Sequence, residues 1–268
     1  MCGRYATTMG QMTLYGVFDA EPDPLDEPKP DTSEASEPAE TAERADLAAD
    51  RYNIAPTSTV PVVLNRRVPP EDGNPGDGEV HRYLRGMRWG LVPSWAKDVK
   101  IGAKLFNARA DSVAAKPAFR SALAKRRCLL PASGYYEWRK VGTVGSRPDK
   151  QPFYITPADG SVLAFAGLWE FWRSPEGEPL VSATIITTAA GGELAEIPDR
   201  MPLVLPAADW DAWLDLDNAA ADVAPLLVPP DPDLVAQLEL RPVSTRVGSV
   251  VNDDPGLLDP VAGRAGLF

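Results

Sequence analysis

The sequence predicts an α+β fold: a single β-dominated domain with peripheral helices. Three observations carry this expectation. Between residues 51 and 188, runs rich in Val, Ile, Leu, Tyr and Trp follow one another, broken by clusters of Pro, Gly and Asp. Helical periodicity is confined to short stretches that do not alternate with the strands, which argues against a wound βαβ sheet. The 268 residues, 44% of them hydrophobic, are enough to bury one large core.

Residues 8–18 read as a short helix, with Thr8 as N-cap and Met12, Tyr15 and Phe18 spaced to share a face. Residues 19–50 hold twelve acidic side chains against Lys29 and Arg44 and almost no large apolar ones. Such a stretch buries too little surface to offset its ordering entropy, so it reads as an acidic, disordered surface insertion. Order resumes at Arg51-Tyr52-Asn53-Ile54-Ala55-Pro56, followed by a strand over 60–64 and a turn rich in Pro, Gly and Asp over 69–78. A strand over 80–92 runs into Trp89-Gly90-Leu91-Val92-Pro93-Ser94-Trp95, whose prolines and glycine predict an irregular loop. A helix over 116–126 carries Pro117 in its first turn, where a missing N–H costs nothing. Strands follow over 127–131 and 135–141, then a hairpin loop over 142–149 with its return strand over 153–156, then strands over 162–172 and 181–188. Residues 207–239 form a second acidic segment within the domain, with helical pieces around 210–214 and 219–227, and a last strand covers 240–244.

The net charge of −11 hides its distribution: the two acidic segments carry −10 and −8, leaving +7 on the rest of the chain. A mildly basic body is compatible with a nucleic-acid partner although the whole protein is acidic. There is no run of 18 apolar residues and no charged n-region leading into an apolar one. Neither a membrane span nor a signal peptide is predicted, and a cytoplasmic location is expected. Two cysteines and one histidine cannot build a Cys/His zinc site, so no metal or other cofactor is called for. Cys128, in the run Cys128-Leu129-Leu130, reads as core, and a Cys2–Cys128 disulfide does not suit the cytosol. His81, between a turn and a strand, reads as structural.

Candidate chemistry begins at Met1-Cys2-Gly3-Arg4-Tyr5. Cysteine is small enough for Met1 to be clipped, which would leave Cys2 with an α-amine (pKa about 7.7–8.0) beside a thiol (about 8.5). This 1,2-aminothiol can condense with an aldehyde and close to a thiazolidine. The thiolate could instead act as an acyl-transfer nucleophile with the amine as base, or Cys2 could be a small buried hydrophobe. Glu137, inside Gly134-Tyr135-Tyr136-Glu137-Trp138, is either a carboxyl poised for acid–base work by apolar surroundings or the solvent-facing member of an alternating strand. Asn107 is a polar anchor or a turn residue. Trp89 and Trp95 are possible stacking platforms for unpaired bases, and Trp95, beside Pro93 and Ser94, is the better candidate for exposure. Arg4, Arg109 and Arg200 sit in short motifs, which would suit phosphate contacts or ion pairs.

Six motifs occur together in one order: Cys2-Gly3-Arg4-Tyr5, Arg51 to Pro56, Trp89 to Trp95, Asn107-Ala108-Arg109, Gly134 to Trp138 and Asp199-Arg200-Met201-Pro202. In this the chain resembles the SOS response-associated peptidase (SRAP) family, with Arg241-Pro242-Val243-Ser244 similar to the family's closing motif. The resemblance implies a β-rich single domain that binds single-stranded DNA and reacts covalently with abasic sites, a monomer associated with the nucleoid. By the same resemblance Cys2 would crosslink, Asn107 would position the sugar or the α-amine, and Glu137 would assist proton transfer. Arg4, Asn53, Arg109, Thr188 and Arg200 would contact the DNA, with Trp95 near a bend in the strand. The chain departs from the family at Ile197-Pro198, where Ile-His is usual; proline cannot exchange a proton. Two alternatives stand beside abasic-site crosslinking: a Cys2-dependent peptidase or amidohydrolase, and a non-catalytic single-strand binder.

Overall fold

A computed structural model describes residues 2–24, 47, 49–68, 78–144, 147–197 and 199–261. In chain order its elements are β1 (Tyr5–Thr7), α1 (Gln11–Phe18), β2 (Glu21–Pro22), β3 (Arg51–Ile54), β4 (Thr59–Val68), β5 (Glu79–Trp89), β6 (Asn107–Arg109) and α2 (Arg120–Lys125). They continue through β7 (Arg127–Ala132), β8 (Gly134–Val144), β9 (Arg147–Pro157), β10 (Leu163–Arg173), β11 (Pro179–Ala189), β12 (Arg200–Pro202), α3 (Trp210–Leu214), α4 (Pro232–Ala236) and β13 (Leu238–Pro242). The α+β, β-dominated architecture expected from the sequence is what forms.

One sheet runs β12-β11-β10-β7-β4-β5-β2, and a parallel pairing of Ser182 and Ala183 on β11 with Arg88 and Trp89 on β5 closes its centre into a small barrel. The second sheet runs β13-β9-β8-β1-β3. Strand alternation explains why the barrel strands read as continuous apolar runs. Val60, Val62 and Leu64, like Cys128 and Leu130, face the core shared with the second sheet, where Cys2, Tyr5 and Tyr135 also lie. The residues between them, Val63 and Leu129, face outward under a cover of Leu14 and Phe18 from α1, Leu123 from α2 and Trp213 from α3. Cys128 is buried in the first of these cores and both cysteines are free thiols.

Several boundaries move for identifiable reasons. The first helix starts at Gln11 with Gly10 at its N-cap. Thr8 does not cap it, because its N–H and its hydroxyl both donate to Ser133 Oγ, at 2.8 and 2.9 Å. The strand expected over 80–92 ends at Trp89, since Gly90 has φ +129° and its α-carbon lies against the Gly102 backbone, where a Cβ would meet the carbonyl oxygen at 2.6 Å. The predicted helix over 116–126 contracts to α2, and the expected hairpin loop over 142–149 is largely strand, with β8 and β9 extending to Val144 and from Arg147. Of the helical pieces in the acidic segment, 210–214 forms, whereas 219–227 holds turns and a 3₁₀ piece at Ala224–Leu226.

The insertion expected to be disordered is ordered at both ends. Glu21–Pro22 pairs with β5, and the wholly buried Asp23 carboxylate lies 3.0 Å from Arg66 and 3.3 Å from Arg85, attractions that sequence composition does not reveal. At the other end Leu47 packs against Gly86. Residues 25–46 lie outside the described residues.

Arg127 ties the second acidic segment to the barrel. It is buried, and its guanidinium donates to the carbonyls of Trp213 (2.6 Å), Leu123 (2.9 Å), Ala124 (3.3 Å), Asn218 (3.0 Å) and Asp215. Removing a buried donor strands its acceptors at about 1–3 kcal/mol for each group left unsatisfied, with relaxation offsetting part of the sum. Arg127→Met is therefore expected to lower unfolding free energy by about 3 kcal/mol. Urea denaturation followed by tryptophan fluorescence would register this as a lower midpoint at unchanged slope.

Among the described residues no helix is long and apolar enough to cross a membrane, and no cluster of three His, Cys, Asp or Glu side chains could hold a metal ion.

Candidate active site

Cys2 leads directly into β1, which lies between β3 and β8. Tyr5 pairs with both Ile54 and Tyr135, so three sequence motifs are joined by one strand. The Cys2 side chain is 0% exposed, with its thiol directed at the Arg4 carbonyl at 3.8 Å. Burial pushes the thiol well above its ordinary pKa, and the negative charge of nearby Glu137 pushes it further. Asn107, at the start of β6, donates from Nδ2 to the Cys2 carbonyl at 2.6 Å. Its Oδ1 is buried and has no hydrogen-bond partner among the described residues.

Glu137 follows Tyr135 by two residues on β8, so the two share the inward face. Only 4% of it is exposed. Burial raises its carboxyl pKa, opposed by the positively charged chain terminus and by Lys150. Of the two readings the sequence left open for Glu137, the buried one holds. A cavity of about 360 Å³ opens beside it, lined by Glu137, Trp138, Lys140, Lys150, Ile197, Asp199 and Arg200. Pro198 itself lies outside the described residues, but both of its neighbours line this cavity.

The arginines fall into two groups. Arg109 is exposed and pairs with Asp111 at 2.6 Å; Arg200 approaches the same carboxylate at 3.6 Å and donates to the Thr187 carbonyl at 2.5 Å. The hydrogen bond from Arg109 lowers the Asp111 pKa to about 2, so this carboxylate stays charged at neutral pH and holds both guanidinium groups. Parallel pairing of β6 with β11 places Arg109 beside Thr187, and antiparallel pairing of β12 brings Arg200 to the same end.

Arg4 and Asn53 behave differently. Arg4 donates to Asn53 Oδ1 and to the Val247 carbonyl, both at 2.8 Å. Asn53 is 3% exposed, and its amide donates to the carbonyls of Val247, Ser249 and Asn252. This pair fastens the N-terminal segment to the chain's closing loops. Thr188 is buried opposite Met201, while its neighbour Thr187 holds Arg200. Trp89 is buried and its indole N–H donates to the Phe106 carbonyl at 2.8 Å, whereas Trp95 is 60% exposed on a loop propped by the Trp172 N–H to the Ala96 carbonyl at 2.7 Å. His81 lies away from this site, 3.7 Å from Glu21 and 3.6 Å from Glu79.

A family model described as SOS response associated peptidase (SRAP) matches residues 1–250. The chain belongs to the SRAP family. Among its relatives is "Abasic site processing protein YoqW" of Bacillus subtilis (strain 168), 39% identical over 209 residues that cover 78% of this chain and 85% of the relative. "Abasic site processing protein HMCES" of Gallus gallus is 34% identical over 234 residues, covering 78% of this chain and 66% of the relative. A crystal structure of a protein from Bacteroides thetaiotaomicron superposes with a TM-score of 0.75 over 97% of this chain and 100% of the other; at 22% identity it shows the shared fold alone.

In this SRAP protein, sequence reasoning brought Cys2, Asn107 and Glu137 to one place but missed Asp111 and Thr187. Asp111 had a signal: it stands two residues after Arg109, the spacing at which a short turn lets carboxylate and guanidinium meet. Thr187 had none, because only strand register separates it from Thr188.

Proposed function

We propose that this SRAP protein processes abasic sites in single-stranded DNA by a covalent crosslink through Cys2 after loss of Met1. The observation that carries this reading is the setting of Cys2. Its carbonyl is held by Asn107 Nδ2, leaving the buried acceptor Asn107 Oδ1 available to the α-amine that methionine removal exposes. The open-chain form of an abasic site presents an aldehyde. The amine nitrogen bonds to its carbon and water leaves, giving an imine; the sulfur then adds to the imine carbon while its proton passes to nitrogen, closing a thiazolidine. Glu137, buried beside the thiol and raised in pKa, is the group that accepts and returns protons.

The same setting disfavours a thiol peptidase. A reactive cysteine is usually held as thiolate in electropositive surroundings, whereas this thiol is buried beside a carboxylate and no histidine lines the cavity. Arg109 and Arg200, fixed by Asp111, supply positive charge for the lesion or its flanking phosphates, and the exposed Trp95 offers a stacking surface. Arg4 and Asn53 act by holding the N-terminal segment in place. The protein works as a cytoplasmic monomer without a cofactor.

The expected result with purified protein whose N-terminus is Cys2 is a denaturant-resistant, slower-migrating band with an abasic single strand and none with an intact one. Equal and fully reversible binding to both strands would replace this reading with that of a non-catalytic binder.

A further inference from the structure

Strand β1 pairs with β8 through Tyr5 with Tyr135 and Ala6 with Gly134, and just ahead of β1 the Arg4 carbonyl accepts from the Tyr136 N–H at 2.9 Å. Beyond these residues the β8–β9 hairpin continues, and Glu137, Trp138, Lys140 and Lys150 on it line the cavity together with Ile197, Asp199 and Arg200. On this hairpin Lys140 and Lys150 stand directly opposite one another, both exposed and both lining the cavity. Like charges at opposed positions of an antiparallel pair destabilise it. Neither lysine has an ion-pair partner among the described residues, in contrast to the adjacent Arg139, which lies 3.2 Å from Glu196. The pair is thus a cationic step on an acidic protein, beside the proposed reaction site, and the charge of Lys150 also reaches Glu137.

We infer that Lys140 and Lys150 form a phosphate clamp that holds the backbone of the single strand on one side of the abasic nucleotide and extends the DNA track from Arg200 onto the hairpin. This rests on the reading of the site as one for single-stranded DNA. Lysine suits the task because its ammonium is a flexible point charge that does not require one phosphate orientation. A clamp of this kind is indifferent to base identity and contributes affinity that salt weakens.

The test uses full-length protein and a fluorescent intact single strand, with dissociation constants measured across a salt series. Each phosphate contact on a single strand contributes about 0.7 to the slope of log K against log salt. Lys140→Gln/Lys150→Gln should therefore reduce the slope by about 1.4. The charge-matched control Lys116→Gln/Lys125→Gln, whose lysines are exposed on and beside α2, should keep the wild-type slope. At low salt and saturating abasic DNA, the Lys116→Gln/Lys125→Gln control should still reach the wild-type adduct yield. An unchanged slope in the clamp variant, or an equal loss in the control, overturns the clamp. If wild-type protein forms no adduct but the slope still falls, the clamp stands and the crosslinking reading fails; if wild-type protein does not bind single-stranded DNA, both fail.

Discussion

Cys2→Ser protein, with its methionine removed, is expected to give no adduct with abasic single-stranded DNA on a denaturing gel, and to give one again when borohydride is present. The variant keeps the α-amine, so the first condensation to an imine remains open to it. It loses the sulfur that closes the ring, and an imine left open hydrolyses on denaturation unless reduced to an amine. The Cys2 thiol is 0% exposed, and burial together with Glu137 holds it protonated at neutral pH. In the proposed reaction nitrogen therefore reacts first and the thiol delivers its proton during ring closure. A heat-stable adduct from Cys2→Ser without reductant would sink the thiazolidine. A wild-type protein that retains Met1 should be inert, because the nitrogen of Cys2 is then an amide; intact mass measured beside the gel separates that cause from a failed mechanism.

Glu137→Gln should slow crosslinking by about 10²- to 10⁴-fold, the range over which a positioned acid–base group contributes, while making the protein more stable at neutral pH. Burial raises the Glu137 pKa in the folded protein above its unfolded value of about 4.3. The folded state therefore binds the proton more tightly than the unfolded one. The stability this confers is fully present below pH of about 4.3 and is lost as pH rises through the folded pKa. Glutamine keeps the shape and never ionises. The melting temperature of the variant should thus exceed that of wild type near pH 7, and the difference should disappear as pH falls below the unfolded value. A variant less stable than wild type at pH 7 would mean that the carboxylate is a structural partner and not a strained catalytic group. An unchanged crosslinking rate would remove Glu137 from the chemistry altogether.

The β-rich fold class was legible because strand runs and turn residues are local signals. So was the candidacy of Cys2, because a place behind Met1 is what would make it an aminothiol. The motif around Glu137 was visible, but its burial was not. Both faces of β8 are covered here, Tyr135 and Tyr136 each being 0% exposed, and the cover comes from residues distant in sequence, Tyr5 and Phe165 on one side and Val243 and Val247 on the other. The acidic insertion shows the reverse case. Its composition predicts disorder, yet Asp23 is wholly buried between Arg66 and Arg85 on neighbouring strands.

By itself, then, the sequence determined the family, the β-dominated architecture and the reactive pair that Cys2 can become, since each depends on residue type and order along the chain. Only the tertiary structure decided which partners the arginines take: Arg109 and Arg200 meet at Asp111, while Arg4 is committed to Asn53 and Val247. It alone set Lys140 against Lys150 in the lining of the cavity. The physical reason is register. A guanidinium or ammonium is equally charged wherever it occurs, and the partner that neutralises it, or the cavity that it lines, is set by strand pairing between residues far apart in sequence.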